Sequence, residues 1–291
     1  MGAFMIIMRV IIAVITIVIA TAAASAQQRI GADTVVLLMP GSGQNSGQGL
    51  VFFPRNVIGL PDSAASADRP VTDPRSVCSI GLGGEIILGF AGHAVVDRPG
   101  PDLVVYENAF TYGGGRIYAE PGAVSVSADG LTWTPFACDA ATLRGCAGVT
   151  PTDASLVYGG GDAFDLADLG VDSIRWVRIV DITQRILDDP LHRFFDPTLS
   201  GFDLDAVVAL HSVRIVDAPQ MRFDPAGERF EVGLPAATTG VMRVFDVRGT
   251  LLDERMMPAG ISIVDATALP PGLLMVQVIT PSSMYVARVL R

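Results

Sequence analysis

At 291 residues, half of them hydrophobic, the chain is long enough for one large or two modest buried cores. Its net charge is −10, from 30 acidic residues against 20 basic ones, every one of them arginine. That balance excludes a polyanion binder, because nucleic acid and anionic membrane surfaces would be repelled at long range. The N-terminus reads as an export leader: Arg9, an apolar run over 10–20, then small residues ending in Ala24-Ser25-Ala26, with cleavage after Ala26. The run is short for a membrane span, which needs about 20 apolar residues. No cysteine follows it, which argues against a lipoprotein, and the mature product is expected to be secreted or held at the outer cell surface.

From Asp33 onward short β-prone runs alternate with loops rich in Gly, Pro, Asp and Ser, and no stretch holds a helical period. Strands are expected at 34–39, 51–53, 85–90 and 94–96, then at 103–106. A hairpin follows, in which Val124 and Val126 alternate with Ser125 and Ser127 before a turn at Asp129-Gly130 and a return run over 131–136. One helical turn fits 165–169. Further strands fall at 174–182 and 202–210. In the second of these, period 2 puts Phe202, Leu204, Ala206 and Val208 on a core face and Asp203 and Asp205 on the other. Ala218-Pro219 marks a linker, after which five strands in about 70 residues suggest a second, small sandwich. The expected fold is all-β: a jelly-roll β-sandwich over 27–218 and an immunoglobulin-like β-sandwich over 219–291.

Cys138 and Cys146 bracket the turn-like segment DAATLRG and are expected to pair, while Cys78, in an apolar run, is expected to stay reduced and buried. No G-x-S-x-G elbow is present, since Pro40 stands at the first glycine position before Ser42. His93, His192 and His211 are scattered without zinc-ligand spacing. Paired carboxylates for glycoside hydrolysis are not singled out by any spacing. Glycine beside aromatic residues marks candidate ligand-binding loops: Tyr112 and Tyr118 with Arg116 around Gly113-Gly114-Gly115, and Tyr158 before Gly159-Gly160-Gly161. A ring face stacks on the apolar face of a sugar while polar neighbours bond its hydroxyls. Phe194 and Phe195 fit a buried plug better than a binding loop.

Two resemblances cover most of the mature chain. FDPAGERFEV, VMRVFDVRGTLL, LPPGLLMVQV and MYVARVLR, in that order, resemble the C-terminal sorting domain of proteins exported by the type IX (Por) secretion system, although Asp224 stands where Asn is usual. That resemblance implies the type IX machinery as a partner. NVIGLPD, SIGLGGEIILGF, GPDLVVYENAF, VSVSADGLTWTPF, GGDAFDLADLG, IRWVRIVDI and SGFDLDAV resemble a group of bacterial cell-surface proteins. VSVSADGLTW and IRWVRIVDI are also similar to the galactose-binding-like, discoidin-type jelly roll. This implies a glycan or other surface polymer as ligand and a structural calcium.

Calcium takes several hard oxygens. Glu107 ends one strand and Asp203 and Asp205 share another, so these three are the expected metal ligands if the strands are neighbours. Asp162, Asp165 and Asp168 form a second acidic group. The functional expectation is an exported, non-catalytic binding or adhesion protein; the alternative is a secreted hydrolase acting on polysaccharide.

Overall fold

A computed structural model describes residues 29–61, 64–156 and 158–291; the leader expected at 1–26 lies outside them. The protein is all-β, as the sequence implied. Five antiparallel strands form one sheet in the spatial order Thr134–Pro135, Gly122–Ser127, Trp176–Asp181, Glu85–Gly89, Thr34–Met39. Four form a second: Ile30–Gly31, Ala206–Ala209, Leu103–Tyr106, Asp162–Phe164. Alternation sets what each strand buries. Ile86, Leu88, Val124, Val126, Val177 and Ile179 of the first sheet meet Leu103, Val105, Phe164, Val207 and Ala209 of the second in one core.

The second sheet is covered on both sides. Its outer face, Val104, Tyr106, Ala206 and Val208 with Leu210, forms its own buried cluster, which explains the unbroken apolar runs at 103–106 and 206–209. Here the structure corrects the sequence expectation for 202–210. Phe202 and Leu204 do enter the main core, but beyond them Val207 and Ala209 enter it, while Ala206 and Val208 face away. The chain changes partner at Asp205: Asp203–Leu204 pairs with Cys78–Ser79, whereas Ala206–Ala209 pairs with Leu103–Tyr106. A phase slip of one residue between the two pairings moves every later side chain to the other face.

The expected helical turn is a 3-10 helix, Leu166–Leu169, capped by Asp165, whose side chain accepts from the Ala167 amide. The expected strand at 51–53 is instead a turn that leads into a cis Phe53-Pro54 bond. The return arm of the 124–136 hairpin is reduced to Thr134–Pro135. Cys138 and Cys146 form a disulfide and Cys78 is buried and free, both as expected.

From Gln220 a second set of strands builds its own core. A three-stranded sheet, Gln220–Asp224, Arg229–Leu234, Gly260–Asp265, faces a four-stranded one, Leu251–Met257, Gly240–Phe245, Leu273–Ile279, Met284–Leu290. Phe230, Val232, Met242, Val244, Val276 and Val278 lie between them. Seven strands are present where five were expected. Gln220–Asp224 and Leu251–Met257 were missed because each carries two or three charged residues and little alternation. Among the described residues no helix is long and apolar enough to cross a membrane.

Candidate functional site

The central strand Leu103–Tyr106 ends at Glu107, and antiparallel pairing sets Ala206 opposite Tyr106. The Asp205 amide donates to the Tyr106 carbonyl, so the segment 203–205 arrives beside Glu107. The strands are therefore neighbours, as the metal expectation required. The Asp203 amide donates to Glu107 Oε1 at 3.1 Å. The two aspartates then diverge. Asp203 lines one cavity, while Asp205, 6% exposed, lines a separate depression with Arg55, Asn56, Ile58, Arg75 and Ser76. The same change of strand partner at Asp205 accounts for the divergence.

Two further acids converge on Glu107 and Asp203. Glu120, 3% exposed, follows the strand Arg116–Tyr118, and its Oε1 accepts from the Ser200 amide and from the Gly201 amide at 2.8 Å. Only glycine fits at 201, where φ is +115° and an added Cβ would lie 2.4 Å from the Gly81 carbonyl carbon. Asp181 ends the strand Trp176–Asp181. Its oxygens accept from the amides of Gly83, Phe202 and Thr183 and from the Thr183 hydroxyl.

Burial dominates the electrostatics. Desolvation, with Glu120 and Asp203 as like-charged neighbours, pushes Glu107 well above the ordinary carboxylate range. Burial, and then Asp203, pushes Glu120 up to about 8 despite its two amide donors. Asp203 and Asp181 are raised for the same first reason. None of these four acids is in an ion pair among the described residues. Three buried atoms here lack a hydrogen-bond partner: Glu107 Oε2, Asp203 Oδ1 and Ser79 Oγ. Ser79 sits opposite Asp203 on the paired strand. It lies close enough to lower that acid somewhat, as Asn108 does, without its hydroxyl reaching good hydrogen-bond geometry.

Two of these acids, Glu120 and Asp203, border an open cavity of about 280 Å³ whose lining also includes Ser79, Asn108, Phe110 and Tyr118. Its aromatic wall is the hairpin Phe110–Tyr112 with Arg116–Tyr118. Phe110 stacks on Tyr118 with centroids 5.1 Å apart, and Arg116 lies over the Tyr112 ring at 5.0 Å. Three bonds tie this hairpin to the 187–201 loop. The Tyr112 hydroxyl donates to Asp196, the Tyr118 hydroxyl to the Thr198 carbonyl, and Arg116 to the Phe195 carbonyl. Phe194 is buried beneath that loop with Ile186 and Leu199, and Phe195 packs against the cluster. The structure thus brings Tyr112, Arg116 and Tyr118 together. Of these only Tyr118 lines the cavity; Tyr112 and Arg116 lie outside its lining on the same hairpin, and Tyr158, 67% exposed, is outside it as well.

Sequence reasoning did not single out Glu120, Asp181 or Ser79. Glu120 carried a signal, an acid set between Ala119 and Pro121 at a strand end, but nothing local says that it turns inward.

A larger cavity, about 790 Å³, opens between the edge strands Thr134–Pro135 and Asp162–Phe164 and is bordered by the disulfide at Cys146. We place the candidate site in the smaller cavity because the polar group inside the larger one is already satisfied. Asp162 accepts from the amides of Val149 and Thr150 and from the Thr150 hydroxyl. Of the second acidic group of the sequence, Asp162 and Asp168 both line the larger cavity, while Asp165 caps the short helix that carries Asp168.

No family model matches the chain. No curated protein matches it either. Solved structures that resemble it are β-glucuronidases: one from Dictyoglomus thermophilum (11% identity, 92% of this chain and 44% of that one, TM-score 0.22) and one from Faecalibacterium prausnitzii (11%, 91% and 46%, 0.24). A third is from Ruminococcus gnavus (10%, 90% and 44%, 0.23). The chain spans less than half the length of these proteins. A likeness at this level carries no argument about chemistry, and the sandwich assignment rests on the sheets themselves.

Proposed function

We propose that the protein is an exported, non-catalytic binding module that takes a glycan or another surface polymer in the cavity beside the Phe110–Tyr118 wall. The supporting observation is the combination within one open cavity of aromatic side chains with Glu120, Asp203, Ser79 and Asn108. Rings offer apolar contact and the polar groups meet hydroxyls. In this reading Tyr112 and Arg116 extend the surface along the same hairpin, and the strands from Gln220 onward serve as the address read by type IX machinery.

A hydrolytic reading is favoured by one feature, the pair Glu120 and Asp203 in a single cavity with Glu120 raised to about 8, as a general acid requires. Glycoside hydrolysis also needs an ionised partner to act as nucleophile or base. Asp203 is raised as well, by burial, so the environments do not push the two acids apart. That favours binding over turnover.

The test is a glycan array with the full secreted chain and with Tyr118→Ala, alongside a reducing-sugar assay on every glycan captured. Capture that weakens about tenfold or more in the variant, without sugar release, is the expected result. Sugar release abolished by Glu120→Gln would establish the hydrolytic reading. Equal capture by wild type and Tyr118→Ala would remove the cavity from the account.

A further inference from the structure

Four acidic side chains, Glu107, Glu120, Asp181 and Asp203, are drawn out of solvent within electrostatic reach of one another, and none of them is in an ion pair among the described residues. Asp102 shows the contrast. It is fully buried, and its oxygens accept from the Arg98 amide, the Leu166 amide and His211 Nδ1. Asp181 is likewise satisfied, by three amides and a hydroxyl.

Glu107 is different. It is 2% exposed, one oxygen takes the Asp203 amide, and the other, Oε2, has no partner. Across the strand pair, Asp203 Oδ1 and Ser79 Oγ are orphaned too. An unpaired buried carboxylate oxygen forfeits its hydration without return, and three orphaned oxygens on adjacent residues share one remedy. A positive charge placed among them satisfies all three.

We propose that Glu107 and Asp203, with Ser79 and the cavity-lining Glu120, hold a divalent cation of the calcium class. Every donor in the set is a hard oxygen, which selects calcium or magnesium over the transition metals that favour imidazole or thiolate. Calcium suits it better than magnesium, because the ligands come from four separate segments and approach no octahedron built on one loop. Glu120 stands on the cavity side of the set: Oε1 is held by the Ser200 and Gly201 amides, and its carboxylate borders the cavity, from which an ion enters. The site does not use Asp205, which lies in the other depression.

The acid oxygens that already stand within 4.8 Å of one another belong to a different trio, Asp97, Asp102 and Asp165, at the opposite end of the strand Leu103–Tyr106, since Asp102 precedes it and Glu107 follows it. Asp102 spends both oxygens there on protein donors and Asp165 caps its helix, so that trio has no unanswered buried atom. The Glu107 set has the unanswered atoms without the close spacing, and drawing Glu120 toward Glu107 and Asp203 is the movement an ion would induce.

The experiment is calorimetric titration of calcium chloride into the full secreted chain, stripped with EGTA, with thermal melts in parallel. Asp203→Asn, Glu107→Gln and Asp165→Asn would be compared with wild type. The expected result is one calcium per chain, a dissociation constant of about 0.1–1 mM as in extracellular modules, and a higher midpoint in calcium. Asp165→Asn should behave as wild type, and Asp203→Asn and Glu107→Gln should each weaken binding by about tenfold or more. Because either buried variant could fold poorly, each counts only if its midpoint in EGTA is at least that of wild type. If neither qualifies, Ser79→Ala serves, with the same expected weakening. No binding heat up to about 10 mM calcium, or binding lost in Asp165→Asn and kept in Asp203→Asn, would overturn the proposal. Repeating the glycan array in EGTA keeps the two readings separate, since capture without calcium would leave the binding module standing whatever the titration shows.

Discussion

Asp102 offers the most quantitative test of how the first sandwich is held together. Its Oδ1 accepts from the Arg98 amide at 3.0 Å and from His211 Nδ1 at 2.7 Å, and its Oδ2 accepts from the Leu166 amide at 2.9 Å. The side chain is fully buried, so water cannot replace any of these donors. Asp102→Asn keeps the shape but leaves one oxygen and turns the other acceptor into a donor. Rotated to serve Arg98 and His211, the amide faces the Leu166 N–H. One bond to a charged acceptor is lost, about 1.5–3 kcal/mol, and two donors are left facing each other, adding about 1 kcal/mol. The expected loss is therefore about 2.5–4 kcal/mol. At about 2–4 °C per kcal/mol for a domain of this size, that is a drop of roughly 5–16 °C in melting midpoint. Both tryptophans, Trp133 and Trp176, belong to the first sandwich, so their fluorescence reports its melting without that of the 220–291 strands. His211→Ala, which removes one bond at a partly exposed residue, should lower the midpoint by less. A drop under about 2 °C for Asp102→Asn would refute the claim that these hydrogen bonds clamp the segments around 98, 166 and 211 to the central strand.

Three other outcomes are expected. In chelator, the first sandwich should lose stability as pH rises from about 4.5 towards about 8: with Glu107 and Glu120 both raised, the folded state binds more protons than the unfolded chain across that window, and Glu120→Gln should flatten the slope of midpoint against pH. Replacing Cys138 and Cys146 by serine opens a loop with a sequence separation of 8 and should cost about 2.5 kcal/mol by the chain-entropy argument, read as a shift in denaturant midpoint at unchanged slope. Deleting 220–291 should leave the remaining chain in the periplasm of the producing cell; undiminished amounts at the surface or in the medium would show that these strands are not an export address.

The all-β class, the main strands and the disulfide are legible in the sequence because each is a local matter. Period 2 over five or six residues sets which side chains of Trp176–Asp181 face inward, and two cysteines eight apart around a turn can hardly avoid each other. The sequence marked Tyr112, Arg116 and Tyr118 only as neighbours of a glycine-rich loop; that they stand on the two adjoining strands of a hairpin is a finding of the structure. What the sequence could not determine is where a strand changes partner. Nothing in FDLDAVVA announces that pairing passes from Cys78–Ser79 to Leu103–Tyr106 at Asp205, yet that single handover sends Asp203 and Asp205 to different cavities and reverses the core face beyond them. The inward acids are also a tertiary decision. Glu107, Glu120, Asp181 and Asp203 lie at or beside the ends of four different strands, and only the tertiary packing draws these four acids out of water within electrostatic reach of one another. Desolvation depends on everything that surrounds a group, which is why Glu107, pushed well above the ordinary carboxylate range, looks in the sequence like an ordinary strand-end glutamate.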